Sequence, residues 1–130
     1  PGNGLVLLVD DEQTVRDVAR GILARAGFQV LEAVDGEDAL AKFRNHWRKI
    51  HVVVLDLTMP RLDGDACLHQ MLQVDPDVSV LITSGYNEQD IAKRFTDKRL
   101  KAFLRKPFTR NQLLAAMQTA IRPRGFRSSP

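Results

Sequence analysis

Val52-Val53-Val54-Leu55-Asp56 is four apolar residues, three of them β-branched, ending at once in a carboxylate. A strand with one wet face alternates polar and apolar residues, so a continuous run of this kind reads as a strand buried on both faces. Such a strand belongs to a parallel sheet covered by helices on either side. The flanking sequence has the matching pieces. Upstream, Leu5-Val6-Leu7-Leu8-Val9 is a second continuous run and also ends in carboxylates, Asp10-Asp11. Val15, Val18, Ala19, Ile22, Leu23 and Ala26 then recur at helical spacing, and Gly27 fits the stop. Phe28 to Ala33 is a short strand, and Gly36 to Trp47 is a helix with Ala39, Leu40 and Phe43 on its apolar stripe. Downstream, a loop with Pro60 and Gly64 leads to a helix through Leu68, Met71 and Leu72, broken by Asp75-Pro76-Asp77. Val78 to Thr83 is a strand ending at Ser84-Gly85, followed by a short helix around Ile91 and Phe95. Ala102-Phe103-Leu104 is a strand ending at Lys106-Pro107, and Thr109 caps a last helix carrying Leu113, Leu114, Met117 and Ile121. Five strands alternate with five helices, and right-handed crossovers make this an α/β, doubly wound parallel sheet.

With 130 residues, 44% hydrophobic and 27% charged, the chain has the length and composition of one globular domain. The single cysteine, Cys67, excludes an internal disulfide framework and a cysteine-built zinc site. No apolar run is long enough to span a membrane or form a signal-peptide core. A soluble protein of a reducing compartment is expected, with no membrane contact by this domain and a cytoplasmic location. Residues 1–4 read as a linker or expression remnant, 5–122 as the domain and 123–130 as a flexible tail. The net charge of +3 hides a division. Residues 1–90 carry a balance of −7, and residues 91–130 one of +10, with Asp97 the sole acid there. A basic last third suits a solvated helix face, an acidic partner or a nucleic acid.

The polar residues at the strand ends carry the chemistry. The first strand ends in Asp10 and Asp11, the third in Asp56, the fourth in Ser84 and the fifth in Lys106. In an open parallel sheet all carboxyl ends lie on one edge, and sites form where the winding reverses. Three carboxylates brought close raise one another's pKa unless a cation sits among them. An all-oxygen set suits a hard ion, Mg²⁺ above all. A metal beside the lone strand-end Asp56 makes that carboxylate a candidate phosphoryl acceptor, with Lys106 to pair phosphoryl oxygens and Ser84 to donate a hydrogen bond.

On these residues the sequence resembles the receiver domains of two-component signalling. The matching segments are Val9-Asp10-Asp11-Glu12, Leu55-Asp56-Leu57-Thr58-Met59-Pro60, Leu62-Asp63-Gly64, Thr83-Ser84-Gly85-Tyr86 and Lys106-Pro107-Phe108. The resemblance covers about residues 4–122 and implies a flavodoxin-like sheet of order 2-1-3-4-5. It implies that Asp56 takes a phosphoryl group from a histidine on a partner kinase or phosphotransfer domain, so that the domain is a regulatory phosphoacceptor rather than an enzyme. It implies that Asp11, Asp56 and the backbone carbonyl of Thr58 hold Mg²⁺ directly, with Asp10 acting mainly through water. Ser84 and Phe103 fall on the family's switch positions, and Thr58 and Tyr86 on the two that tune dephosphorylation. The Lys106-Pro107 bond is expected to be cis. The stretches around Ser84-Gly85-Tyr86 and Phe103-Leu104-Arg105-Lys106 look most like receivers appended to hybrid sensor histidine kinases. A stand-alone or truncated response regulator is the alternative.

Other readings fail on particular residues. A haloacid-dehalogenase-type phosphatase needs a second aspartate two residues after the acceptor, where this chain has Thr58. A flavodoxin needs a hydroxyl-rich loop after the first strand, and Asp10-Asp11-Glu12 would repel a flavin phosphate. A nucleic-acid-binding module using the basic last third lacks interleaved aromatics and a reader motif, so direct DNA binding is not expected. His46, His51 and His69 show no metal-ligand spacing. Lys93, Arg94, Lys98, Arg99, Lys101, Arg105, Arg110 and Arg122 face too few acids to support a self-complementary dimer, which predicts a monomer.

Overall fold

Parallel strands buried on two faces need a helix layer on each, and the chain builds both. The computed structural model describes residues 4–57, 64–85 and 100–121. Strands β1 (Gly4–Val9), β2 (Phe28–Ala33), β3 (Ile50–Asp56), β4 (Val80–Ser84) and β5 (Leu100–Arg105) form one sheet in the order β2-β1-β3-β4-β5. Every pairing is parallel. Four helices fall among the described residues: α1 (Gln13–Arg25), α2 (Gly36–His46), α3 (Gly64–Val74) and α4 (Arg110–Ala120). The helix expected around Ile91 and Phe95 lies outside the described residues, as do Thr58, Tyr86, Arg122 and the tail at 123–130.

The period-two alternation of the strands divides the core. Leu7, Val9, Val53, Leu55, Val80 and Ile82 point to one face and pack with Ala39 and Phe43 of α2 and Cys67, Leu68 and Met71 of α3. Val6, Leu8, Val52, Val54 and Leu81 point to the other and pack with Ala19 and Leu23 of α1 and Leu113, Met117 and Ala120 of α4. Phe103 is half-buried against the first cluster and Leu104 is buried in the second.

Local chemistry sets the helix starts. Asp35 caps α2 by accepting the Asp38 N–H at 2.7 Å. Thr109 and Gln112 close a reciprocal capping box at the start of α4, which fixes where the chain leaves Lys106-Pro107. One apolar residue departs from its expected place. Val18, read as part of the buried stripe of α1, is 61% exposed. The register of α1 on the sheet is set by Ala19 and Leu23, both buried, and that turns Val18 outward.

Candidate functional site

The sheet order puts β1 and β3 side by side at its centre, and from there the chain winds outward in opposite directions. β1 leads to β2 on one flank and β3 to β4 on the other. Among the described residues no crossover covers the carboxyl ends of β1 and β3, the place where open parallel sheets form their sites. Val9 pairs with Leu55, which sets Asp10 and Asp56 beside each other at adjacent strand ends. Oxygens of Asp10, Asp11 and Asp56 lie within 4.8 Å of one another. Asp10 and Asp56 are buried, at 2% and 0% exposure, whereas Asp11 faces solvent.

Lys106 arrives from the end of β5. Its backbone N–H donates to the Ser84 carbonyl at 2.8 Å, and the Lys106-Pro107 peptide is cis. Lys106 Nζ lies 2.8 Å from Asp10 Oδ2, 3.0 Å from Asp56 Oδ2 and 3.7 Å from Glu12 Oε1. Burial alone would lower the pKa of this lysine, but its hydrogen bonds to Asp10 and Asp56 and their charges outweigh that and hold it above the ordinary value. Burial pushes the Asp10 carboxyl up. The bond from Lys106 and the Glu12 N–H at 2.9 Å on Asp10 Oδ1 offset part of that rise, and the Asp56 charge adds to it.

One ammonium set against three carboxylates leaves a negative excess in an all-oxygen site with two buried arms and one solvent-facing arm. That is the donor chemistry a hard divalent cation requires, and the residues fit Mg²⁺. Ser84 is buried at the end of β4, one residue beyond the Asp56–Thr83 pairing, and Phe103 lies on β5 opposite Ile82. Asp10, Asp11, Asp56 and Lys106 therefore converge, and Ser84 and Phe103 occupy the strands next to them. The proposed metal carbonyl of Thr58 and the side chain of Tyr86 are outside the described residues.

The chain matches the family model described as response regulator receiver domain over residues 6–118. It belongs to that family. This receiver domain is 33% identical over 120 residues to the sensor kinase CckA of Brucella abortus, covering 92% of the chain but 13% of that much longer protein. It is 30% identical over 117 residues to the chemotaxis protein CheY of Bacillus subtilis, covering 89% of the chain and 96% of that protein. A solved CheX–CheY complex from Borrelia burgdorferi with BeF3 and Mg²⁺ is 34% identical, with a TM-score of 0.79 over 92% of this chain and 90% of that one.

Two features of this receiver were not singled out in the sequence. A groove of about 480 Å³ is lined by Val15 and Val18 of α1, by Pro107 and Phe108, and by the polar Glu12, Thr14 and Lys106, the last of which it shares with the carboxylates. The exposed Val18 was the available signal, hidden by its fit to helical periodicity. The second is Arg16, whose Nη1 donates to the Asp10 carbonyl at 2.7 Å and whose Nε donates to Glu32 Oε1 at 3.2 Å. An arginine in the first turns of a helix carries no sequence signal that separates it from a solvated one.

Proposed function

We propose that this receiver takes a phosphoryl group from a phosphohistidine onto Asp56, with Mg²⁺, and relays that event through Ser84 and Phe103. The observation that carries the reading is the pairing of a fully buried, strand-end Asp56 with Lys106 inside a three-carboxylate cluster. Asp56 is the nucleophile. One of its carboxylate oxygens bonds to phosphorus as the phosphorus–nitrogen bond of the donor breaks, and the imidazole departs with the bonding pair. Lys106, already on Asp56 Oδ2, turns its donors to the arriving phosphoryl oxygens. Asp11, Asp56 and the Thr58 carbonyl would hold the metal directly, and Asp10 through water. When bound, Mg²⁺ supplies the positive charge that offsets the phosphoryl oxygens. Tyr86 and Thr58 set how easily water reaches the acyl phosphate, and hence its lifetime.

The phosphohistidine belongs to a kinase or phosphotransfer domain. The groove between α1 and Phe108 shares Lys106 with the acceptor site, so an apolar helix seated there would present its histidine to Asp56. The likeness to CckA supports a place in a hybrid sensor histidine kinase, and the likeness to CheY supports a stand-alone regulator. We favour the hybrid kinase, with the domain on the cytoplasmic side and not itself contacting DNA. Among the described residues no helix is long and apolar enough to cross a membrane.

The switch follows from a local hydrogen bond acting on a packed residue. Phosphoryl oxygens draw the Ser84 hydroxyl inward, and Phe103, now only half-buried, fills the space vacated. The face built by β5 and α4 changes as a result. Amide spectra with Mg²⁺ and beryllofluoride, which imitates the phosphoryl group, test this. Shifts across residues 84–108 that vanish in Asp56→Asn are expected, and unchanged spectra at saturating ligand contradict the reading.

A further inference from the structure

Both backbone groups of Asp10 are held from outside β1. Its N–H donates to the Ala33 carbonyl of β2 at 3.2 Å, and its carbonyl accepts from Arg16 Nη1 at 2.7 Å. The Asp10 carbonyl belongs to the peptide that joins Asp10 to Asp11. Fixing it fixes the plane from which the solvent-facing Asp11 carboxylate projects. Arg16 is itself held. Its side chain is only 12% exposed, and its Nε is tied to Glu32 of β2. Glu32 is anchored in turn by Arg20 at 3.2 Å through its carboxylate and by Lys42 Nζ at 2.6 Å through its carbonyl. The chain of contacts runs from α2 through β2 and Arg16 to the peptide between two of the three clustered carboxylates. A buried charge-assisted bond to a backbone carbonyl is stronger than a neutral one and has one geometry.

We infer that Arg16, braced by Glu32, is a positioning residue for the metal site: it orients the Asp10–Asp11 peptide so that Asp11 meets the cation. The inference rests on the phosphoacceptor reading. It separates Arg16 from Arg20, which shares Glu32 but makes no contact with Asp10 among the described residues and is 49% exposed.

NMR titration of the chain with Mg²⁺, followed at the amides of residues 10–12 and 56, tests it alongside thermal unfolding without metal. Arg16→Met keeps the apolar stem and is expected to weaken Mg²⁺ binding about tenfold, the loss typical when a group orienting a metal ligand is removed. Arg16→Lys restores one charged donor and recovers part of that loss. Glu32→Gln leaves the guanidinium in place and weakens binding by less than Arg16→Met does. Arg20→Met lowers the melting temperature slightly and leaves Mg²⁺ affinity as in the wild type. Wild-type affinity in Arg16→Met, or an equal loss in Arg20→Met, overturns the inference. Should Arg16→Met not fold, Glu32→Gln decides alone, and an unchanged affinity there overturns it too. A wild-type chain that binds no Mg²⁺ overturns the phosphoacceptor reading instead, which keeps the two failures apart.

Discussion

Asp10 shows how a residue is held at a site at the expense of the fold. Its carboxyl has a pKa raised by burial above the ordinary 3.8, so the folded state keeps its proton more tightly than the unfolded chain does. Stability from this group is therefore greatest at low pH and falls as pH rises through the window above 3.8. Lys106 acts in a different window. Its pKa is raised above 10.5, so its contribution is complete below that value and is lost only at higher pH. Ionising the desolvated Asp10 in the metal-free fold is a net cost to stability. Asp10→Asn is expected to raise stability at pH 7 by on the order of 1 kcal/mol while Lys106 keeps its bond to Asp56, and to flatten the stability profile above pH 3.8. Urea unfolding across that range without metal measures it, and a less stable variant with an unchanged slope contradicts it. The carboxylates and Lys106 were legible in the sequence because each follows an apolar run. The brace of Arg16 on the Asp10 carbonyl was not, because it joins residues whose meeting depends on how α1 lies over β2.

At the scale of elements, the continuous apolar runs made the strands legible, and the observed bounds differ from the sequence reading by a residue or two. Thr109 was read as a cap, and the capping box with Gln112 is present. The reading of α1 was less complete. Helical spacing groups Val15, Val18, Ala19, Ile22 and Leu23 on one broad stripe, but spacing does not say which edge of that stripe the sheet covers. Ala19 and Leu23 are buried, while Val15 and Val18 line the groove with Pro107 and Phe108. An exposed valine gains nothing for the isolated fold, so Val18→Asp should change stability by less than about 0.5 kcal/mol. If the groove receives the phosphohistidine-bearing helix, the same change slows transfer from a phosphorylated protein donor by about tenfold, far more than it slows labelling by acetyl phosphate. Parallel rate measurements with the two donors check this, and equal slowing with both contradicts the assigned docking surface.

At the scale of the whole molecule, charge separates the first two thirds of the sequence, which carry the clustered carboxylates, from the last third, which carries Lys106. Residues 1–90 hold a balance of −7, with Asp10, Asp11 and Asp56 clustered at the carboxyl edge of the sheet, while residues 91–130 hold a balance of +10. A two-fold interface sets a patch against itself, and like charges brought close on an exposed surface repel by about 1 kcal/mol a pair at low salt. The receiver is expected to remain a monomer with and without beryllofluoride, most clearly at low salt. Sedimentation velocity at two ionic strengths reads this directly. A beryllofluoride-dependent dimer that persists at low salt and is lost in Arg94→Glu contradicts it. The strand order was implied by the family resemblance, whereas the strands and the strand-end carboxylates were legible because both follow from local patterns. The groove and the brace were not, because they arise where α1, β2 and the Lys106-Pro107 turn come together in space.

The central claim is that Asp56 is the phosphoryl acceptor and that its reaction needs Mg²⁺. Intact-mass measurement after treatment with acetyl phosphate tests it most directly. The wild-type chain should gain one phosphoryl group with Mg²⁺ and none after chelation, and Asp56→Asn should gain none in either condition. An Asp56→Asn chain that still gains a single phosphoryl group, or a wild-type chain labelled equally without Mg²⁺, would contradict the account.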